Sequence, residues 1–297
     1  MPTYPFLQVD AFTNQALGGN PCAILFDTDE MEAALMLAIA KEMNLSETSF
    51  VRRSDRADFG VRYFTPAEEI PLAGHPTIAT TFALVQTGRL ALLEDHTKIT
   101  LDMPAGVIEV EINSQNGVIE TIVMAQNKPT FHNVYEPSEI LPIFGLAAEE
   151  ALPGAPIQVV STGTPQLMIP LRRLESLKQI QVDIPVYQKL RKTGGFFSPH
   201  LFCLQGITEE GDTFARHFGV PPDTPEDPFT GSATGGMGAY LWHYGLIEQP
   251  TFKAEQGHWM NRPGIAQVEV VGPPEDIESV KVGGSAVLVL EGRLLLP

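Results

Sequence analysis

The sequence predicts an α/β (α+β) protein of two pseudo-symmetric domains, each a mixed β-sheet wrapped around one central helix. Three observations carry this. Residues 77–87 read as a helix that is apolar on most faces (Ile78, Ala79, Phe82, Ala83, Leu84, Val85), and a helix apolar all round belongs in the middle of a domain. The stretch around it, residues 69–88, has a second copy at residues 226–245. Most of the remaining chain consists of short apolar runs of strand type, separated by turn residues.

Taken in order, residues 6–12 and 21–26 read as two strands joined by a Gly-Gly-Asn turn at residues 18–20. A helix over residues 31–43 follows, with Met31, Leu35, Ile39 and Met43 at helical spacing, possible caps at residues 27–29 and an end at Asn44. The segment from Leu45 leads into another strand, so Glu47 falls where a loop meets a strand. Residues 58–64 form the next strand, and residues 65–72 a proline-containing segment. The helix then starts around Gly74-His75-Pro76, because proline is tolerated in a first turn that needs no N–H there. Strands are expected at 98–103, 106–112 and 117–125, and the polar residues 126–129 read as a linker. Beyond it, a helical piece near 139–146 is followed by strands at 158–161, 167–171, 266–271 and 286–290.

Composition narrows the function classes. The chain has 297 residues, 43% hydrophobic and 19% charged, with a formal net charge of −17. That charge speaks against nucleic acid and acidic membrane surfaces as partners. The N-terminus lacks the pattern of a signal peptide and no run is long enough for a transmembrane helix, so a cytoplasmic protein is expected. Cys22 and Cys203 both lie in apolar contexts and form no CxxC or metal pattern, which reads as two buried free thiols. No GxxxxGK[ST] or dinucleotide fingerprint occurs, and neither a metal nor a cofactor is called for.

The repeat is the most informative feature. Residues 69–77, EIPLAGHPT, align without gaps to residues 226–234, EDPFTGSAT, and the register continues through Leu84/Leu241 to Gly88/Gly245. Upstream, Asp58, Arg62 and Phe64 match Asp212, Arg216 and Phe218 in spacing. The second helix carries Gly235, Gly236 and Gly238, each costing up to ~1 kcal/mol relative to alanine; their accumulation predicts strands packed closely against it. Helix N-termini bind anions, carboxylates included, and Gly74 and Gly231 let a ligand approach the backbone. Two such N-termini facing one cleft point to a small carboxylic acid as substrate. Asp227 stands where the first copy has Ile70, and His75 where the second has Ser232, so both depart from the inherited pattern.

Gly19-Asn20-Pro21, Leu45-Ser46-Glu47-Thr48-Ser49-Phe50, Leu72-Ala73-Gly74-His75-Pro76-Thr77 and Glu226-Asp227-Pro228-Phe229-Thr230-Gly231-Ser232-Ala233 resemble the signature segments of the PhzF-like family. Glu255-Gln256-Gly257 and Arg262-Pro263 resemble its late segment, although Asn261 and Gly264 stand where the family has Gly and Ser. The similarity is collinear over nearly the whole chain. It implies the duplicated, diaminopimelate epimerase-like fold, with halves at residues 1–127 and 128–282, a C-terminal strand (283–297) returning to the first half, an active site between them, and a homodimer. It implies a cofactor-independent isomerase with Glu47 as acid/base, His75 and Asp227 assisting it, and Gly74, Gly231 and Ser232 holding the substrate. A carboxylate in a desolvated cleft can both accept and donate a proton near neutrality.

Thiol racemases of the same fold carry cysteine just before each glycine; Ala73 and Thr230 stand there instead, which speaks against thiol chemistry. The alternatives are an epimerase using Glu47 and Asp227 in place of thiols, and a non-catalytic protein that binds a small acid. Residue by residue, Glu47 could be a capping carboxylate, His75 and Ser232 could be N-caps, and Asp227 a turn residue. Arg62 and Arg216 read as structural ion pairs rather than anion binders. The aromatic residues near Trp242 and Trp259 read as packing.

Overall fold

In the computed structural model, which describes residues 3–296, Met1, Pro2 and Pro297 at the ends of the expected halves lie outside the described residues. Chain contacts define two compact units. One runs to Ala125 and includes Pro221–Thr224 and the chain from Val282; the other holds Gln126–Val220 and Pro225–Lys281.

In the first unit, strand Thr3–Ala11 pairs antiparallel with Ala286–Leu295 on one side and Asn20–Leu25 on the other. Asn20–Leu25 is parallel to Glu47–Arg52, and the crossover that a parallel pair requires is helix Ala33–Met43. Glu47–Arg52 pairs antiparallel with Phe59–Phe64, which runs parallel to His96–Met103. Their crossover is the central helix Gly74–Gln86. Gly106–Gln115 and Val118–Gln126 complete an antiparallel meander.

The second unit repeats this order of pair senses. Thr130–Tyr135, Ile157–Ser161 and Pro165–Pro170 are successively antiparallel. Pro165–Pro170 is parallel to Ser198–Cys203, which is antiparallel to Thr213–Phe218. Thr213–Phe218 is parallel to Thr251–Gln256 across the second central helix, Gly231–His243, and Gly264–Val271 follows antiparallel. Short helices Leu174–Lys178 and Ile184–Thr193 cross the outer face, where Tyr187, Phe144 and Phe218 share a core.

Both central helices are enclosed as their composition requires. Every residue from Gly74 to Leu84 is buried, and that helix packs on strands from Thr3–Ala11 to Glu47–Arg52. Two of the threonines inside it are satisfied, Thr77 donating to the Ala73 carbonyl at 2.7 Å and Thr80 to Ser49 Oγ at 2.7 Å, while the buried Thr81 hydroxyl has no partner among the described residues. In the second helix the glycines do admit close neighbours. A Cβ on Gly235 would overlap the Gln126 amide, and one on Gly238 would lie 2.8 Å from Val268 Cγ1.

The repeated residues turn out to be structural fasteners. Arg62 forms a bidentate pair with Glu69 at 2.7 and 2.6 Å, and Arg216 one with Glu226 at 2.8 and 2.7 Å. Each guanidinium lies over the phenylalanine two residues on, Phe64 or Phe218. Asp58 accepts from Thr100 N, and Asp212 from Lys253 N, tying each strand to its parallel neighbour.

Some details differ from the sequence reading. The first helix starts at Ala33 with Glu32 at its N-cap, because Asp29 is engaged with the Arg53 backbone and guanidinium instead. Gln126 is no open linker: its buried amide donates to the Gly231 carbonyl at 2.9 Å and accepts from Thr162 at 2.5 Å. Strands Thr130–Tyr135 and Ser279–Gly284 and helix Ile184–Thr193 were not expected. Among the described residues, no helix is long and apolar enough to cross a membrane.

Candidate functional site

Glu47 opens its strand, and in the parallel register it lies opposite Cys22. The strand is fixed against the central helix two residues later, through the Thr80–Ser49 hydrogen bond. This holds the Glu47 side chain near the start of that helix. There, Glu47 Oε2 lies 3.1 Å from Nδ1 of His75, and Nδ2 of Asn20 lies 3.0 Å from the same nitrogen. Asn20 is fully buried and His75 is 2% exposed.

Burial lowers the His75 pKa to about 3, so the imidazole is neutral near pH 7. A neutral ring has one lone pair and one proton. With the proton on Nε2, Nδ1 accepts from Asn20; the 3.1 Å contact with Glu47 Oε2 is a close approach without hydrogen-bond geometry. His75 Nε2 is buried with no hydrogen-bond partner among the described residues.

Neither central helix is capped by the side chain of its own N-cap residue. The N-cap positions are Ala73 and Thr230, and neither makes a side-chain cap bond. His75 and Ser232 thus lie one residue inside their helices, which removes the N-cap reading of both. Gly74 and Gly231 are the first helical residues, and both are buried. An uncapped start leaves first-turn N–H groups to find other partners, and a carboxylate suits them.

In the second unit, Asp227 is 8% exposed and sits on the two-residue strand Glu226–Asp227, opposite His217. Its Oδ2 accepts from Thr230 Oγ1 at 2.5 Å. Gln256 Nε2 donates to the Asp227 carbonyl at 2.7 Å and to Thr230 Oγ1 at 3.2 Å, while Gln256 Oε1 accepts from Thr230 N at 3.2 Å. Behind this group, His217 Nδ1 lies 3.3 Å from His200 Nδ1. Both rings are fully enclosed, and burial pushes both pKa values down, that of His200 to about 3.

The first unit therefore brings Glu47, His75 and Gly74 together, and the second brings Asp227, Gly231 and the start of the Ser232 helix together. Asn20, Thr230 and Gln256 are partners that the sequence did not single out as site residues. Asn20 and Gln256 were marked only by the segments that carried the family resemblance, and Thr230 also as the residue standing where thiol racemases have cysteine. Cys22, distant from both motifs in sequence, is a strand neighbour of Glu47. Burial, and after it the Glu47 charge, holds its thiol well above the ordinary range, so it is no nucleophile. Trp259 packs on Phe214 and under Arg216, in line with the packing reading.

A sequence model of the family described as phenazine biosynthesis-like protein (PhzC-PhzF) matches residues 9–292. An uncharacterised isomerase of Clostridium acetobutylicum is 32% identical over 99% of this chain and 98% of its own. The trans-2,3-dihydro-3-hydroxyanthranilate isomerase of Pseudomonas fluorescens is 30% identical, covering 98% of this chain and 99% of its own. The crystal structure of a PhzF-family phenazine biosynthesis protein from Bacillus anthracis superposes with a TM-score of 0.87 at 32% identity, covering both chains completely.

Proposed function

Because the chain belongs to the phenazine biosynthesis-like (PhzC-PhzF) family of isomerases, we propose that it shifts a proton, without a cofactor, on a small cyclic or amino-substituted carboxylic acid. Glu47 is the base and then the acid. It accepts a proton from one substrate carbon as that C–H bond breaks, the electron pair moves along the adjacent unsaturation, and the same carboxyl returns the proton to another carbon. In this reading Gly74, Gly231 and Ser232 hold the substrate's carboxylate, and His75 and Asp227 assist Glu47.

The contact between Glu47 Oε2 and the neutral, buried His75 at an uncapped helix start carries this reading. The neutral, buried ring of His75, held by Asn20, packs beside the Glu47 carboxyl without adding a charge to it. Positioned acid/base action contributes about 10²–10⁴-fold in rate, and the orientation of the bound acid supplies more.

The test is ¹H NMR in D₂O with a panel of small unsaturated and amino-substituted carboxylic acids, trans-2,3-dihydro-3-hydroxyanthranilate included, beside a Glu47→Gln control. Migration of a double bond with deuterium at the new C–H, absent from the control, is the expected result. Inversion at one carbon without migration would transfer the chemistry to epimerisation. Binding of an acid with no exchange in either protein would make it a binding protein.

A further inference from the structure

We infer that Thr230, oriented by Gln256, is a positioning residue that keeps Oδ2 of Asp227 a hydrogen-bond acceptor. This rests on the reading that Asp227 acts in the site. The direction of every hydrogen bond in the group follows from two backbone atoms. The Asp227 carbonyl can only accept, so the Gln256 atom 2.7 Å away is its N–H₂ group. The Thr230 N–H can only donate, so the Gln256 atom 3.2 Å away is its oxygen. Both backbone groups thus impose the same orientation on the amide. Gln256 Nε2 then donates to Thr230 Oγ1 at 3.2 Å and occupies a lone pair of that hydroxyl. The single hydroxyl proton is left for Asp227 Oδ2, 2.5 Å away.

The consequence is chemical. A carboxyl whose Oδ2 must accept cannot hold its proton on that oxygen, and a hydrogen bond to the charged form favours that form. Thr230 therefore biases Asp227 towards the ionised state. In the repeat, Thr230 matches Ala73, and Asp227 matches Ile70. Both the carboxylate and the hydroxyl that orients it are absent from the first copy, which is what a functional pair added to one half of a duplicated frame looks like. Thr230 also occupies the residue before the helix glycine, where thiol racemases of this fold place their cysteine. A hydroxyl committed to Asp227 takes the place of a proton carrier.

The test uses Thr230→Val, which keeps the shape and removes the hydroxyl, and Thr230→Ser, which restores it. The ¹³C resonance of the Asp227 side-chain carboxyl, titrated by NMR in the folded protein, is the first readout and needs no substrate. The expected result is a rise of about one pH unit in its midpoint in Thr230→Val, reversed in Thr230→Ser. A midpoint unchanged in Thr230→Val, or shifted equally in both variants, would overturn the inference. With a substrate in hand, the acid limb of kcat/KM should move up with the carboxyl in Thr230→Val and return in Thr230→Ser. A midpoint that moves while the acid limb does not would leave Thr230 as the partner of Asp227 and remove Asp227 from the reaction, so the two failures are distinguishable. Thermal melting of each variant guards against an unfolded sample. Should Thr230→Val not fold, Gln256→Met removes the orienting amide, and a smaller rise in the same midpoint is expected.

Discussion

Nδ1 of His75 lies within hydrogen-bond distance of two groups of opposite character, the Glu47 carboxyl at 3.1 Å and the Asn20 amide at 3.0 Å. One ring nitrogen cannot serve both in the same tautomer, so the amide competes with the carboxyl. Replacing Asn20 by alanine removes the competitor and leaves a buried gap. The expected outcome is a loss of about 1–3 kcal/mol in urea unfolding, the cost of an unmade buried hydrogen bond. A fall in kcat larger than the change in KM is expected with it, because the Asn20 amide no longer fixes the imidazole beside Glu47.

The two arginine–glutamate pairs are equivalent in the repeat but not in surroundings. Arg62 engages Glu69 and lies over Phe64. Arg216 engages Glu226, lies over Phe218 and Trp259, and also donates to the Leu177 carbonyl at 2.9 Å. Arg216→Ala should therefore destabilise the fold more than Arg62→Ala, by about 1 kcal/mol or more for the additional hydrogen bond and stacking. Urea midpoints of the two variants decide it, and the reverse ranking would contradict the role assigned to Leu177 and Trp259.

Glycines in the second central helix can be ranked in the same manner. Alanine is favoured in a helix by ~1 kcal/mol, yet a Cβ on Gly235 would run into the Gln126 amide, which is already bonded to Gly231 and Thr162. A Cβ on Gly236 would come close only to the terminal methyl of Met168, at 2.8 Å, which can swing aside, with the Val160 carbonyl at an ordinary 3.8 Å. Gly235→Ala should cost ~1–3 kcal/mol as an overpacked site. Gly236→Ala should come out close to neutral in the same denaturation assay.

The first central helix was legible because Ile78, Ala79, Phe82, Ala83, Leu84 and Val85 leave it almost no polar face, and the second because it repeats the first; every residue from Gly74 to Leu84 is buried. The repeat was legible because its identities (Arg62/Arg216, Glu69/Glu226, Asp58/Asp212) are fasteners that a duplicated frame has to keep. Site residues were legible in part through the same frame, as departures from it. Asn20 and Gln256 were not, since each lies outside the repeated stretch and acts through a partner brought near by strand pairing. Strand Thr130–Tyr135 was missed for a related reason. Apart from Phe131, Val134 and Tyr135 it is polar and largely exposed, an edge whose pairing with Ile157–Ser161 leaves little hydrophobic signal.

Both cysteines should be silent in the native protein. Cys22 is fully buried and Cys203 is 2% exposed; burial raises both thiols, that of Cys203 to about 11. A thiol reagent at pH 8 should titrate no groups in the folded chain and two after denaturation. Rapid modification of Cys22 in the native state would show that the strand beside Glu47 opens, and that the closed geometry of that half-site is not the dominant one.

Acid should unfold this protein through its buried histidines. In the folded chain burial holds His200 at about 3 and His217 well below its ordinary 6.5, whereas unfolded they titrate near ~6.5. Below that value the unfolded chain binds protons that the folded chain refuses, so stability is complete above pH ~6.5 and is lost progressively as pH falls towards 3. Each such histidine contributes a slope of ~1.4 kcal/mol per pH unit. Carboxylates add their own dependence, but a difference between variants cancels it. In His200→Gln the slope of unfolding free energy between pH 6 and pH 4.5 should be shallower than in the wild type by about one histidine's worth. Parallel slopes would mean that His200 is protonated inside the folded protein. The His200–His217 contact at 3.3 Å would then have to open in mild acid, and the strand that carries His217 opposite Asp227 would shift with it.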